Sequence, residues 1–480
     1  MADILITNGV VVTMDPTRRV IQDGAVAIER DRIVAVGPSA EVAATHRAGK
    51  VIDARRKLVM PGFVDAHGHA GHALIKTMGG SDFDAWSRAC GIVYTVGSDV
   101  DYWYAEARLA ALERLRFGAT TGMSLLGGGD SVMRTDDTAY PDAHCAGVLE
   151  VGTRSIVAVG PTRPPHPQRY VKWTDGYAKD VMVTATDQIA VCKATLDRWH
   201  RTNGDRIRIA LLSPTTRQEH LDTLPSAVVE EIAEQARTMV ATSRDYDTTF
   251  TQDGHGRGRI EIFHERVGML GSNCLFSHAI DLTDREMALC RDHDAKIAHN
   301  PSAVASINGR CPAVEMMEMG VTVALGSDAT APDRSGDMFR HMQQCMHYHR
   351  RHFRDSHILS PGKVLEMCTI DGAAALGLQD QVGSLEVGKK ADVALVDLAR
   401  PHLYPLNMEV IRAVCFANGN DVATVIVDGR ICMEDRKVLT VNEAEILDAA
   451  QQAADTMLQR TNLHWMLKTP DNFWQTLRYS

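Results

Sequence analysis

One stretch of the sequence decides the fold: residues 58–69, which read LVMPGFVDAHGH. Its first half is apolar with β-strand character, and a Pro-Gly pair precedes two histidines, His67 and His69. Residues two positions apart on a strand face the same way, roughly 6–7 Å apart, so both imidazoles can bind one ion. Imidazole suits Zn, Fe, Ni or Cu, and a catalytic site adds water to three or four protein ligands. The pair predicts half of a metal site, whose other half must lie elsewhere in the chain.

The composition limits the kinds of partner. The chain has 480 residues, 45% hydrophobic and 23% charged, as in an ordinary globular protein. A net charge of −10 argues against nucleic acid and membrane surfaces, because both select basic patches. The sequence shows no signal peptide and no apolar run of the about eighteen residues that span a bilayer. Ten cysteines without a CxxC pair are typical of reduced, buried thiols, so we expect a cytoplasmic protein that binds a small molecule.

The two ends of the chain are β-rich. Residues 1–57 contain short strand-like runs separated by Asp and Gly, and residues 376–440 contain strand-like runs separated in the same way. The two segments predict one small β-sandwich domain assembled from both ends. Residues 441–480 are predicted to form a C-terminal helical extension, because apolar residues recur there at helical spacing.

The middle, residues 58–375, alternates short apolar runs with helical patterns. Eight of these runs are strand candidates, and eight βα units are the count of a (β/α)8 TIM barrel. The expected fold class is therefore α/β. The strand candidates after the first are residues 119–124, 155–160, 208–212, 238–242, 274–278, 296–299 and 321–328.

The ends of the candidate strands carry metal-binding residue types. In a (β/α)8 barrel the chemistry lies at the C-terminal ends of the strands. The first strand leads into His67 and His69, the sixth ends in His278 and the eighth in Asp328. Imidazoles can hold an ion that lowers the pKa of water, while a nearby carboxylate moves the water's proton to the leaving group. The set predicts a metal-dependent hydrolase.

Six motifs follow one another along the chain: PGFVDAHGH at 61–69, FGATT at 117–121, SHAI at 277–280, AHNPS at 298–302, ALGSD at 324–328 and GKKADV at 388–393. In this order they resemble the amidohydrolase superfamily, in its branch of triazine- and purine-type deaminases and chlorohydrolases. The resemblance implies a distorted (β/α)8 barrel with a β-sandwich, metal ligands at His67, His69 and Asp328, and a homodimer or higher homo-oligomer. It also implies that Asp328 shuttles protons and that His278 polarises the water or the substrate.

The fifth strand departs from the family pattern. Members of this branch usually have a further histidine ligand there and a proton-donating glutamate three residues later. Counting back from His278, the histidine's position is occupied by Thr242 and the glutamate's position by Asp245. Three interpretations stay open: His278 is the third imidazole, His255 or His72 reaches in from a loop, or the ion is weakly held or lost. Strand four offers no lysine as a bridging ligand, so we expect one ion, Zn first, with Fe, Mn or Ni as alternatives.

Four residues are candidates for substrate binding. His72 follows the first metal motif, Asn300 ends the seventh strand, and Arg244 and Asp245 follow the predicted fifth strand. The expected reaction is hydrolysis of a C–N bond, of amide, imide, urea or amidine type, in a small cyclic or aryl nitrogen compound. Ring deamination comes second because its usual glutamate acid is missing. The alternatives are a hydrolytic deaminase or dechlorinase of an N-heterocycle, and a barrel that has lost catalysis and serves as a binding protein.

Overall fold

The structure is a computed structural model that describes residues 2–80, 83–128, 132–303, 308–331, 333–469 and 473–476. The strands are β1 Ala2–Val12, β2 Val20–Glu29, β3 Arg32–Pro38, β4 Ala48–Asp53, β5 Lys57–Pro61, β6 Phe63–Asp65, β7 Ala119–Leu125, β8 Arg154–Val159, β9 Gln168–Thr174, β10 Tyr177–Val183, β11 Ile207–Leu212, β12 Phe250–Gln252, β13 Cys274–Ser277, β14 Lys296–His299, β15 Val323–Leu325, β16 Val393–Asp397, β17 Val422–Val427, β18 Arg430–Glu434 and β19 Lys437–Val438. The helices are α1 Ser39–Thr45, α2 Phe83–Ile92, α3 Val100–Arg116, α4 Ala139–Val151, α5 Ala185–Trp199, α6 Gln218–Thr223, α7 Ser226–Asp245, α8 Arg259–Arg266, α9 Asp284–Asp292, α10 Ala313–Glu318, α11 Met338–Phe353, α12 Pro361–Met367, α13 Ile370–Ala375, α14 Glu409–Phe416 and α15 Glu443–Thr461.

Parallel strands in the middle of the chain form the predicted barrel. Within the described residues the sheet has eight strands, in the order β6, β7, β8, β11, β12, β13, β14 and β15. Two backbone hydrogen bonds bring its first and last strands together: Ala66 N–H donates to the Leu325 carbonyl at 3.0 Å, and Asp328 N–H donates to the His67 carbonyl at 2.9 Å. Buried, mainly apolar side chains fill the strands because helices cover the outside. The α/β barrel prediction is confirmed.

A second, mixed sheet is built from both ends of the chain. Its strands run in the order β19, β18, β17, β16, β5, β1, β2 and β3, and β4 pairs with β1. Strands β1 to β5 precede the barrel in sequence, and β16 to β19 follow it. The prediction of a β domain from the two termini is therefore confirmed.

The stretch at residues 58–69 carries the chain from one sheet into the other. Strand β5 pairs with β1 and β16 in the mixed sheet, and β6 pairs with β7 in the barrel. Gly62 lies between them, where a Cβ atom would fall 2.2 Å from the side chain of Thr120. Only glycine fits so close to that side chain. The Pro61-Gly62 pair is therefore the point at which the chain leaves the mixed sheet and enters the barrel.

The GKKADV motif joins the mixed sheet to the barrel through buried ion pairs. Asp392 Oδ1 lies 3.2 Å from Nη2 of Arg154, which is fully buried on barrel strand β8. The same Arg154 Nη2 atom lies 3.4 Å from Oδ1 of Asp428, which follows β17 and also pairs with Lys390 of the motif at 2.8 Å. Removing one member of such a pair leaves an uncompensated buried charge, so these contacts hold the β domain against the barrel.

The predicted fifth strand is wrong. Residues 238–242 belong to helix α7, and the fifth barrel strand is β12, ten residues further on. The buried apolar side chains of α7 recur at helical spacing (Val229, Ile232, Ala236, Met239), and Ala236 and Met239 belong to the core around the barrel strands. The β-branched and aromatic run at residues 248–251, followed by Gln252 and the turn pair Asp253-Gly254, is the better strand signal.

Three smaller features complete the fold. The proline-rich stretch 161–177 contains β9, which forms an antiparallel hairpin with β10. The C-terminal helical extension contains α15, whereas residues 477–480 lie outside the described residues. Among the helices that the structure describes, none is long and apolar enough to cross a membrane.

Candidate active site

His67 and His69 lie beyond the end of strand β6 with both rings buried. Their ring centroids are 5.2 Å apart, and the side chain of His67 is 1% exposed. The Nδ1 atom of His69 lies 2.8 Å from the carbonyl oxygen of Gly127, which can only accept a hydrogen bond. The proton therefore sits on Nδ1, and the lone pair of Nε2 points into the cluster as a metal ligand requires.

Asp328 reaches the same point from the end of strand β15. Its Oδ1 atom lies 3.0 Å from Nε2 of His69 and 3.4 Å from Nε2 of His67. The backbone of Asp328 has a φ of +52°, which is sparsely populated for a residue with a side chain. Its hydrogen bond to the His67 carbonyl helps to hold that conformation and so aims the carboxylate at the histidines.

A second carboxylate, Asp253, follows strand β12 and faces Asp328 across the cluster. Its Oδ1 atom lies 3.3 Å from Nε2 of His67 and 3.1 Å from Nε2 of His278, and its Oδ2 atom lies 3.5 Å from Nε2 of His69. The hydroxyl of Ser277 donates to Oδ1 at 2.6 Å. The fifth strand thus supplies an aspartate where the resemblance led us to look for a histidine. The sequence analysis missed Asp253 because it placed this strand on α7.

His278 enters the cluster from the end of β13. The side-chain amide of Asn300 lies 3.3 Å from its Nδ1 atom, on the side away from Asp253. When Nδ1 accepts from the Asn300 amide, the proton of His278 is on Nε2 and points at Asp253. Asn300 is fully buried behind His278, so it orients this imidazole rather than lining the cavity.

His72 and His255 line the cavity beside the cluster. Nδ1 of His72 lies 2.6 Å from the Tyr94 hydroxyl, and its ring stacks on His69 with 4.5 Å between centroids. Nε2 of His255 lies 3.1 Å from the side-chain oxygen of Gln252. Neither histidine belongs to the groups of described residues whose side-chain atoms are close enough to share an ion. The groups at the barrel mouth are His67, His69 and Asp328, and His67, Asp253 and His278.

Arg244 and Asp245 lie outside the cavity, in the last turn of α7. The guanidinium of Arg244 donates to the carbonyl of Met269 at 2.8 Å, and Asp245 is exposed. Thr242 is buried in the same helix. The expectation that Arg244 and Asp245 lie near the substrate depended on the misplaced fifth strand. The same error put the place of the missing histidine at Thr242.

The electrostatics of the cluster suit a cation. Burial alone would raise the pKa of Asp253 and Asp328, but the neighbouring histidines, and Arg334 beside Asp328, lower both pKa values well below the usual range. Burial alone would lower the pKa of His67, yet the two carboxylates raise it to about 10. The Nδ1 and Nε2 atoms of His67 are buried and have no hydrogen-bond partner among the described residues. Three imidazoles and two carboxylates around one point fit a divalent metal ion.

A buried carboxylate positions the two halves of the cluster. Asp65, at the end of β6, accepts hydrogen bonds from the Ser327 N–H at 2.8 Å and the Ser327 hydroxyl at 2.7 Å. The guanidinium of Arg114 donates at 3.0 Å to Oδ2 of this carboxylate, the oxygen that also accepts from the Ser327 hydroxyl. Because Ser327 precedes Asp328, Asp65 ties the first strand end to the last.

The cluster opens into a cavity of about 790 Å³ at the C-terminal ends of the strands, a size usual for small-molecule sites. Most of the residues that line it have polar side chains, and Trp86 provides one aromatic surface. Other lining residues include His69, His72, Asp253, His255, His278 and Asp328.

Comparison with known proteins gives the family. The model of the amidohydrolase family matches residues 58–432, which is most of the chain. A second model, the imidazolonepropionase-like composite domain of bacteria, matches residues 24–48 in the mixed sheet.

Two relatives align over nearly their whole lengths. The 5-methylthioadenosine/S-adenosylhomocysteine deaminase of Syntrophobacter fumaroxidans is 29% identical over 95% of this chain and 98% of the relative. The 5'-deoxyadenosine deaminase of Methanosarcina mazei is 30% identical over 96% of this chain and 100% of the relative.

A solved structure shares the fold. An adenosine deaminase from Xanthomonas campestris, crystallised with bound zinc, superposes with a TM-score of 0.80 at 22% identity, over 95% of this chain and 99% of that protein. The family match and the full-length relatives agree with the cluster of metal-binding side chains. The chain belongs to the amidohydrolase family and is a hydrolase of carbon–nitrogen bonds other than peptide bonds.

Proposed function

We propose that the protein is a hydrolytic deaminase of an amino-substituted N-heterocycle, with adenine nucleosides as the substrate class. The observation that carries the proposal is the convergence of His67, His69, Asp253, His278 and Asp328 at the barrel mouth. The names of the two full-length relatives favour deamination over the amide-type hydrolysis that the sequence analysis put first. The names of these relatives also favour deamination over dechlorination and over a barrel that has lost catalysis.

The ion that we propose is zinc, held by His67, His69, Asp253 and Asp328, with His278 beside it as a hydrogen-bond donor. The donor set fits zinc, and a relative of the same fold was crystallised with it. A divalent ion in such a site lowers the pKa of a bound water towards neutrality and so supplies the nucleophile.

Asp328 has the position of a proton carrier. Its pKa lies well below the usual range, so the carboxylate is ionised and ready to accept a proton at neutral pH. Its Oδ1 atom faces His67 and His69, while its Oδ2 atom pairs with Arg334 at 3.1 Å. We assign to Oδ1 the proton that leaves the attacking water and reaches the departing amine.

His278 has the position of an electrophilic stabiliser. Asn300 holds its ring from behind, and its Nε2 proton points into the cluster at Asp253. A hydrogen-bond donor fixed at that point can stabilise the negative charge that develops when water adds to a ring carbon.

The usual glutamate acid has no counterpart at the observed strand end. Gly256 stands three residues after Asp253, and no glutamate lines the described cavity wall. Burial lowers the pKa of His255 to about 3 and lowers the pKa of His72 well below its usual value, so both rings are neutral at pH 7. A neutral imidazole N–H cannot give up its proton at pH 7 but can donate a hydrogen bond, so we propose that a cavity histidine, rather than a carboxylic acid, binds the ring nitrogen.

An assay of the zinc-loaded protein tests the proposed function. Adenosine, 5'-deoxyadenosine and 5-methylthioadenosine are offered beside a panel of cyclic amides, imides and chlorinated triazines, and release of ammonia or chloride is measured. The proposal expects ammonia from at least one adenine nucleoside, and none from the Asp328→Asn variant. Turnover of the amides or triazines with no adenine nucleoside deaminated would overturn it.

A further inference from the structure

Arginines line the mouth of the active-site cavity. Four different loops at the C-terminal ends of barrel strands provide them: the loops after β8, β11, β12 and β15. Among the described residues, the cavity is lined by no lysine and no glutamate. The arginines are Arg163, Arg217, Arg257, Arg259 and Arg334.

This local charge opposes that of the whole chain, which is −10. Three aspartates also line the cavity, but Asp253 and Asp328 belong to the metal cluster, and a divalent ion would offset their charge. The third, Asp281, accepts a hydrogen bond from the backbone N–H of Arg310 at 3.0 Å. The cavity mouth is therefore positively charged, and a cleft lined by one sign of charge concentrates ligands of the other sign.

Several of these guanidiniums are held by the protein. Arg334 pairs with Asp328 and donates to the carbonyl of Ala331 at 2.7 Å. Arg163 donates to the carbonyl of Thr215 at 2.9 Å, which fixes it beside the loop that carries Arg217. These contacts give one side of the cavity mouth a fixed guanidinium surface.

Arg217 and Arg257 contribute guanidinium groups that no carboxylate accompanies within the described ranges. In the described part of the chain, neither pairs with a carboxylate, although both line the cavity. No carboxylate of the described residues therefore offsets the charge of either guanidinium, and both charges are available to a bound anion. Guanidinium groups recognise carboxylates and phosphates through paired hydrogen bonds.

We propose that the substrate carries an anionic group, a carboxylate or a phosphate, which binds to Arg217 and Arg257 while the ring to be hydrolysed reaches the metal cluster. This inference rests on the proposed function and narrows its substrate class to anionic amino-heterocycles. The names of the relatives do not decide the point, since they include the uncharged 5'-deoxyadenosine as well as S-adenosylhomocysteine, which has a carboxylate.

Three substrates with the same base and ribose provide the test: adenosine, adenosine 5'-carboxylate and adenosine 5'-monophosphate. For the zinc-loaded wild type we expect kcat/KM at least tenfold higher for one anionic compound than for adenosine, and the better one identifies carboxylate or phosphate. In the Arg217→Gln/Arg257→Gln double variant this ratio should fall by about ten- to a hundredfold, mainly through KM. Arg291→Gln is the control, because Arg291 is an exposed arginine on α9 that pairs with Asp292. The inference is wrong if adenosine is used as well as both anions, or if the double variant keeps the wild-type ratio.

A binding measurement separates failure of this inference from failure of the proposed function. If no adenine compound is deaminated, titration calorimetry with inorganic phosphate and with acetate is carried out on the zinc-loaded wild type and variants. If the wild type and Arg291→Gln bind either anion and the double variant does not, the anion site is supported independently of the deaminase activity. Equal binding to the wild type and the double variant, or binding to neither, overturns it.

Discussion

Asp253 Oδ1 lies 3.1 Å from Nε2 of His278, and this contact joins the fifth and sixth strand ends of the barrel. The same carboxylate lies 3.3 Å from His67, on the first strand end. One aspartate thus faces imidazoles from two sides, in the place where the family resemblance led us to expect a histidine. A carboxylate there adds negative charge to the ligand set, which strengthens the attraction for a divalent ion.

Replacing Asp253 by alanine should weaken metal binding. The variant loses the carboxylate that faces His67, His69 and His278, so we expect the zinc content after dialysis against a weak chelator to fall well below that of the wild type. Asp245→Ala is the matched control because Asp245 is exposed at the end of α7. Full zinc occupancy in Asp253→Ala, measured by elemental analysis, would show that Asp253 is not part of the site.

The buried Asp65 should matter for both stability and metal binding. Asp65→Asn takes the charge from a fully buried ion pair with Arg114, and breaking such a pair costs about 3–5 kcal/mol of the free energy of unfolding. It also loosens Ser327, which precedes Asp328, so zinc affinity should fall as well. Urea unfolding and zinc titration measure the two effects. The control is Asp247→Asn, since Asp247 lies in an exposed ion pair with Arg201, and the two variants behaving alike would contradict the assignment.

Glu106 should make stability depend on pH. It is fully buried, it accepts a hydrogen bond from the Ala73 N–H at 3.2 Å, and burial raises its pKa from 4.5 to about 7. Because the folded state binds this proton more tightly, the contribution to stability is full below pH 4.5 and is lost as the pH rises through 7. The loss amounts to at most about 3 kcal/mol, at about 1.4 kcal/mol per pH unit.

The Glu106→Gln variant isolates this effect. Glutamine keeps an oxygen for the Ala73 N–H but cannot ionise, so the variant should gain stability relative to the wild type between pH 5 and pH 8. His144, whose Nδ1 atom lies 3.8 Å from Oε2 of Glu106, has the opposite trend because burial lowers its pKa to about 3, so the comparison is repeated with His144→Asn in both proteins. Urea unfolding across this range checks it, with Glu234→Gln on the exposed face of α7 as the control. A difference between Glu106→Gln and the wild type that does not change with pH would contradict the raised pKa.

The sequence predicts this fold and site as far as local patterns reach. The strand runs that end in His278 and Asp328 are short, apolar and bounded by turns, and the structure places both residues at strand ends. The fifth strand was missed because the residues around β12, TTFTQ at 248–252, include no aliphatic side chain, whereas the run TMVAT at 238–242 of α7 resembles an apolar strand. The cluster of arginines at the cavity mouth was not predicted either, because these residues come together only when four separate segments of the chain pack at the barrel mouth.

The most direct test of the account is an anomalous X-ray difference map of zinc-loaded crystals, recorded on both sides of the zinc absorption edge. The account predicts one strong peak, bounded by the side chains of His67, His69, Asp253 and Asp328. A peak bound by His72 or His255 in place of Asp253, or no peak at the barrel mouth of fully loaded protein, would contradict it.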